Sequence, residues 1–164
     1  MAEIALILGG ARSGKTARAL ALAAPPRAYV ATAEPRDEEM AARIALHRAE
    51  RGGDWGLIEA PLDLARAIGA ASGRTLVIDC LTLWLSNIME AGREPEAETA
   101  ALIGALGAAE APVILVSNEI GLGLTPMEAL SRRFRDEQGR LNQRVAAAAD
   151  RVEFVAAGLP LRLK

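Results

Sequence analysis

The stretch EIALILGGARSGKT, residues 3–16, constrains the fold more than any other part of the chain. EIALIL reads as a buried strand, and GKTARALALAA, directly after it, has the composition of a helix. The glycines between them supply the permissive backbone that an abrupt strand-to-helix turn requires. Strand and helix patterns go on alternating from there. RAYVAT (27–32), WGLIEA (55–60), RTLVID (74–79), PVILVS (112–117) and RVEFVAA (151–157) read as further strands, separated by helix-like segments. This order predicts an α/β fold with a mostly parallel central sheet and helices on both faces. The closing LPLRLK alternates apolar and polar residues after Gly158, which predicts a C-terminal edge hairpin. No repeat or low-complexity linker interrupts the pattern, so residues 1–164 are expected to form one domain. Hydrophobic residues are 51% and aromatics 3%, so the core is built from Ala, Leu, Val and Ile.

Residues 9–16, GGARSGKT, match G-x-x-x-x-G-K-[ST] in the strand–loop–helix setting that gives the pattern its meaning. In such a loop the backbone N–H groups from Gly9, Gly10, Ala11, Arg12, Ser13 and Gly14 turn inward around phosphate oxygens, aided by the helix N-terminus. Lys15 would reach the β- and γ-phosphates and Thr16 would offer its hydroxyl to Mg²⁺. Lys15 and Lys164 are the only lysines, and one of them falls in this slot. TLVIDCLTLW (75–84) places Asp79 where an apolar strand should stop. A carboxylate there is costly unless it faces a cation or polar cleft, so Asp79 is the candidate second metal-side ligand. It also has the position of a cap for a helix starting at Leu81, and the two roles are compatible.

Ligands of parallel α/β sheets sit beyond the carboxyl ends of the strands. That criterion selects Ala31, Thr32, Ala33, Glu59, and the pair Asn118–Glu119 ahead of two glycines, although the pair also reads as an ordinary polar turn. Arg132, Arg133, Arg135 and Arg140 have Asp136, Glu137 and Asp150 within pairing distance in sequence; a solvated charged face explains most of them. His47, the only histidine, lies late in RDEEMAARIALHRAERGG, where Met40, Ile44, His47 and Arg51 share one helical face. Spacing leaves it either a core-edge histidine or a largely neutral imidazole able to act as base or nucleophile.

The formal net charge of −2 leaves no cationic surplus for a nucleic-acid backbone. A single cysteine, Cys80, excludes an internal disulfide and a multi-cysteine zinc site. No basic leader precedes MAEIALILGG, and no apolar run approaches the ~18–20 residues of a membrane span. A cytoplasmic protein is expected.

GGARSGKT, ATAEPRDEEMAARIALHR, Trp55 with Glu59, DCLTLWLSN, SNEIGLGLTP and FRDEQGRLNQRVAAAADRV together, from end to end and in this order, resemble the bifunctional adenosylcobinamide kinase/adenosylcobinamide-phosphate guanylyltransferases of cobalamin biosynthesis. The resemblance implies a RecA-like P-loop NTPase fold and a homotrimer with sites near subunit contacts. It implies phosphorylation of adenosylcobinamide by ATP or GTP. It further implies attack of a histidine, here His47, on GTP, with GMP then passed to adenosylcobinamide phosphate. Nucleotide contacts are implied for residues 9–16, for Ala31–Ala33, for Arg48, Ala49, Glu50 and Arg51, and for Glu59 and Asp79. Many members read R-P-x-x-W after the histidine, whereas RGGDW (51–55) replaces that proline turn by glycines, a turn expected to be more flexible. Two other readings remain: a P-loop kinase with a structural His47, and a nucleotide-dependent switch, which the lack of an N-K-x-D sequence weakens.

Overall fold

The computed structural model describes residues 1–164 with the exception of His47 and Glu50. Seven strands and six helices follow one another as β1 (Ile4–Gly9), α1 (Lys15–Leu22), β2 (Arg27–Ala31), α2 (Glu38–Arg51), β3 (Gly56–Glu59), α3 (Leu64–Gly69), β4 (Thr75–Asp79), α4 (Leu81–Glu90), α5 (Pro95–Gly107), β5 (Val113–Asn118), α6 (Ala129–Ala148), β6 (Arg151–Ala156) and β7 (Leu159–Arg162). They form one sheet in the order β3-β2-β4-β5-β1-β6-β7. All neighbours are parallel except β6 and β7, which form the expected antiparallel edge hairpin. Each strand expected from the sequence is present, and the crossover helices cover both faces of the sheet.

The alternation of side chains along a strand divides the core into two layers. Leu6 and Leu8 of β1 and Leu76 and Ile78 of β4 face α3 to α6, whereas Ile7, Val77 and Val116 face α1. Helix α4 shows why the first layer is the thicker. Leu81, Trp84, Leu85 and Ile88 recur at i, i+3, i+4 and i+7 and are all at most 1% exposed. Full burial of each such side chain is worth roughly 1.5–3 kcal/mol. Trp84 keeps its polar atom satisfied by donating Nε1–H to the Leu62 carbonyl at 2.7 Å.

Helix α2 departs from the expected packing. Its start is well specified, with the Asp37 carboxylate accepting from the Met40 amide at 2.7 Å and Glu38 and Glu39 in the first turn. Yet none of its described residues is buried. Its apolar stripe is too short to compete for the core, and Met40 and Ile44 line a cleft instead. The RGGDW turn that follows is contacted from β2 at Asp54 and Trp55. Arg27 donates to Asp54 at 2.7 Å and stacks its guanidinium 4.4 Å from the centre of the Trp55 ring.

Candidate functional site

The loop after β1 is held tight by its glycines. A Cβ on Gly9 would lie 2.4 Å from Ser13 Oγ and 2.7 Å from the Val155 carbonyl. Gly14, the N-cap of α1, has φ +93°, and a Cβ there would lie 3.1 Å from Gly158 Cα. The turn between β6 and β7 thus backs the loop directly, and the Gly158 amide donates to the Ser13 carbonyl at 2.8 Å. Ser13 is buried, and its Oγ has no hydrogen-bond partner among the described residues. Lys15 donates Nζ–H to the Gly10 carbonyl at 2.8 Å. Burial pushes the Lys15 ammonium pKa down, Cys80 and Asp79 oppose this, and Arg43 adds to it.

Asp79 ends β4 beside the start of α1. Its Oδ2 accepts from Thr16 Oγ1 and from the Tyr29 hydroxyl, both at 2.9 Å. Tyr29 on β2 is a site residue that the sequence did not announce, because RAYVA reads as core strand throughout. Burial first, then the Asp79 carboxylate, drive the Tyr29 phenol pKa strongly upward, so it remains a protonated donor. The capping role considered for Asp79 belongs instead to Cys80, whose Sγ accepts from the Leu83 amide at 3.5 Å. Burial, reinforced by Asp79, raises the Cys80 thiol to about 11.

A hydroxyl and a carboxylate 2.9 Å apart form a hard-oxygen pair, and among the described residues no cluster of three His, Cys, Asp or Glu side chains could hold a metal. Mg²⁺ fits this donor set, since it binds through one or two carboxylates, retains waters and takes its other ligands from substrate phosphates.

These groups open on a cleft of about 520 Å³ above the carboxyl ends of the strands. Arg12 to Thr16 form its floor, and Ala31, Ala33, Glu59 and Asp79 line the side formed by the β2, β3 and β4 ends. Met40, Arg43, Ile44, Arg48 and Arg51 of α2 form the opposite wall. Arg51 carries its guanidinium 3.7 Å above the Tyr29 ring, which ties the end of α2 to the tyrosine that holds Asp79. The expectations placed on His47 and Glu50 lie outside the described residues.

Six of the expected contacts, Gly9, Gly10, Ala11, Thr32, Ala49 and Glu119, are not among the residues lining the cleft. Thr32 is fully buried, and its Oγ1 donates to the Cys80 carbonyl and accepts from the Cys80 amide, both at 2.8 Å. Ala49 is exposed on α2. Glu119 turns its carboxylate into its own loop, accepting from the Gly121 amide at 2.7 Å. Asn118 does line the cleft, and its buried Oδ1 has no partner among the described residues. The arginines of α6 are not simply a solvated face. Arg135 donates to the Gly121 carbonyl at 2.6 Å and Arg132 to the Met127 carbonyl at 2.5 Å, so the two clamp the loop after β5. Arg140 pairs with Glu137 at 2.9 Å as charge spacing suggests, while Asp150 accepts from the Ile4 amide at 2.8 Å.

Among the described residues, no helix is long and apolar enough to cross a membrane. The fold is that of RecA-like P-loop NTPases. A KaiC-like protein from Pyrococcus horikoshii superposes with a TM-score of 0.52 at 16% identity, covering 93% of this chain and 70% of that one. Sequence relatives are closer. The bifunctional adenosylcobalamin biosynthesis protein CobP of Pseudomonas aeruginosa is 48% identical over 97% of this chain and 96% of its own length. The bifunctional adenosylcobalamin biosynthesis protein CobU of Salmonella typhimurium is 38% identical over 97% and 98%. The family described as cobinamide kinase / cobinamide phosphate guanyltransferase matches residues 5–163. With the phosphate loop, the Asp79 carboxylate and helix α2 around one cleft, and with agreement along almost its whole length, the chain belongs to this cobinamide kinase / cobinamide phosphate guanyltransferase family of cobalamin biosynthesis.

Proposed function

We propose that this chain carries out two transfers in one cleft, as a cytoplasmic homotrimer. The first moves the γ-phosphoryl group of ATP or GTP to the aminopropanol hydroxyl of adenosylcobinamide. The second moves GMP from GTP to adenosylcobinamide phosphate by way of His47. One observation carries the reading: residues of α2 on both sides of position 47, Arg43 and Ile44 before it and Arg48 and Arg51 after it, line the same cleft as Lys15, Thr16 and Asp79. In this reading a triphosphate seated in the loop would have its terminal phosphates beside Lys15 and its α-phosphate open to α2.

The site residues divide accordingly. Backbone amides of residues 9–14 and the Lys15 ammonium bind and orient the triphosphate whichever bond is to break. Thr16 and Asp79 would hold Mg²⁺, which would supply charge neutralisation for the triphosphate. Tyr29 fixes the Asp79 carboxylate through its hydrogen bond at 2.9 Å. Arg48, Arg51 and Glu59, with Ala31 and Ala33, serve the nucleotide along the walls. What distinguishes the reactions is the nucleophile in line. The substrate hydroxyl attacks the γ-phosphorus, loses its proton, and a nucleoside diphosphate leaves. For guanylyl transfer the His47 imidazole attacks the α-phosphorus and pyrophosphate leaves. A phosphate oxygen of adenosylcobinamide phosphate then displaces the imidazole, giving adenosylcobinamide-GDP and restoring His47.

Incubation with α-³²P-GTP and Mg²⁺, followed by mapping of the labelled peptide, tests this reading. The expected label is acid-labile and lies on the peptide containing His47; His47→Ala abolishes it while γ-phosphoryl transfer persists. Label on another residue, or equal loss of both transfers in a folded variant, overturns the division of labour.

A further inference from the structure

The segment DEQGRLNQ of α6 buries polar side chains where a helix packed on a sheet ordinarily places apolar ones. Gln138 is 1% exposed, Asn142 6% and Ser117, opposite them on β5, 0%. Such groups are costly to bury unless their hydrogen bonds are made. Here, apart from Gln138 Oε1, which has no partner among the described residues, the bonds are made and converge on the end of β5. Ser117 Oγ donates to Asn142 Oδ1 at 2.7 Å, and Gln138 Nε2 donates to Ser117 Oγ at 2.9 Å and to Asn142 Oδ1 at 3.0 Å. Asn142 Nδ2 then donates to the Asn118 carbonyl at 3.1 Å, while Thr82 on α4 accepts from the Asn118 amide at 2.9 Å. Two helices thus grip both backbone polar groups of one residue.

That residue is well placed. Strand β5 lies between β1, which feeds the phosphate loop, and β4, which carries Asp79. Asn118 pairs in register with Gly9, and Val116 with Asp79, so Asn118 extends two residues past the level of the carboxylate. Successive strand side chains alternate, so with Ser117 toward α6 the Asn118 carboxamide is on the cleft side, where its Oδ1 is buried without a partner among the described residues. A carboxamide offers a donor to a phosphate oxygen and an acceptor to an incoming hydroxyl, and β4 separates β5 from β2, the strand that leads into α2, so Asn118 stands on the side of the loop away from α2.

We propose that Ser117, Gln138 and Asn142 are positioning residues that set the Asn118 carboxamide against the terminal phosphate and acceptor hydroxyl, and that they serve phosphoryl transfer and not guanylyl transfer. This rests on the two-transfer reading given above. The relay acts only by aiming Asn118, so its loss should matter little once Asn118 itself is gone.

The test is a double-mutant cycle in the full-length protein, with kcat and KM for cobinamide phosphorylation measured beside the rate of self-labelling from α-³²P-GTP. Asn118→Ala is expected to lower the phosphorylation kcat by about 100-fold, as loss of one transition-state donor does. Ser117→Ala and Asn142→Leu are expected to lower it by about 10-fold through misalignment, with KM for the nucleotide and the labelling rate near wild type. Combining either with Asn118→Ala should give no loss beyond that of Asn118→Ala alone. Ser117→Ala removes a single hydroxyl and carries the cycle if Asn142→Leu does not fold. Multiplicative losses, equal loss of both transfers, or an unchanged phosphorylation kcat overturn the relay. Absence of cobinamide phosphorylation by the wild-type protein overturns the underlying kinase reading, and the relay with it.

Discussion

Replacing Glu153 by Gln should weaken the fold at neutral pH, and the loss should fade as the solution is acidified. Glu153 lies on β6, is 2% exposed, and accepts from Arg18 of α1 at 2.7 and 2.9 Å and from Arg151 at 2.8 Å. The hydrogen bonds from Arg18, followed by those from Arg151 and the attraction of both guanidinium charges, outweigh the burial penalty and depress the carboxyl pKa from 4.5 to about 2. One pKa unit corresponds to about 1.4 kcal/mol, so the ionised carboxylate contributes on the order of 3 kcal/mol. The sign follows from the depressed value. Above pH 4.5 the carboxyl is ionised in folded and unfolded chains alike, and the full contribution is present. Between pH 4.5 and about 2 the unfolded chain takes up a proton that the folded chain refuses, so stability falls, and below that range the contribution is gone. For a chain of this length, about 3 kcal/mol corresponds to a Tm shift of roughly 6–12 °C. Thermal unfolding of wild type and Glu153→Gln, followed by circular dichroism at pH 7, 4 and 2.5, measures it. The gap in Tm should be largest at pH 7 and narrow at each step downward. A negligible gap at pH 7, or one that is constant with pH, would refute the reasoning.

Tyr29→Phe removes one of the two donors holding Asp79 while keeping the ring beneath Arg51; the Mg²⁺ concentration for half-maximal activity should rise about 10-fold with Tm little changed, and an unchanged Mg²⁺ dependence would count against the role given to the hydroxyl. Gly9→Ala forces a methyl to within 2.7 Å of the Val155 carbonyl; overpacking typically costs about 1–3 kcal/mol, so if the loop shifts to relieve it nucleotide affinity by calorimetry should drop roughly 5- to 150-fold, and wild-type affinity would contradict the loop geometry. Cys80, buried and with its thiol at about 11, should resist a thiol-specific reagent at pH 8 in the native protein and react fully in denaturant; rapid stoichiometric labelling of native protein would show the thiol to be accessible.

The strands, the phosphate loop and the Asp79 carboxylate were legible because each is announced by a local pattern: an apolar run, a glycine spacing, a charge where an apolar run stops. What escaped depends on register between distant segments. Tyr29 looks like core in RAYVA, and only the pairing Ala31↔Asp79 brings its hydroxyl to the carboxylate 50 positions away. The cap of α4 passed from Asp79 to Cys80 because a carboxylate already bonded to Thr16 and Tyr29 is committed elsewhere. Helix α2 was read correctly as a helix, but periodicity reports an apolar face without saying whether core or cleft receives it. The role of Arg132 and Arg135 was missed for a related reason, since their partners are backbone carbonyls and charge spacing counts only side chains.

The contact between the hairpin turn at Gly158 and the loop at Ser13 and Gly14 has a consequence for how the protein is made. The phosphate loop is synthesised before β5 and β6, the two strands that flank β1. A nascent chain that still lacks β6 and β7 therefore has the nucleotide motif without the turn that backs it. Triphosphate affinity should therefore rise only once β6 and β7 have been made.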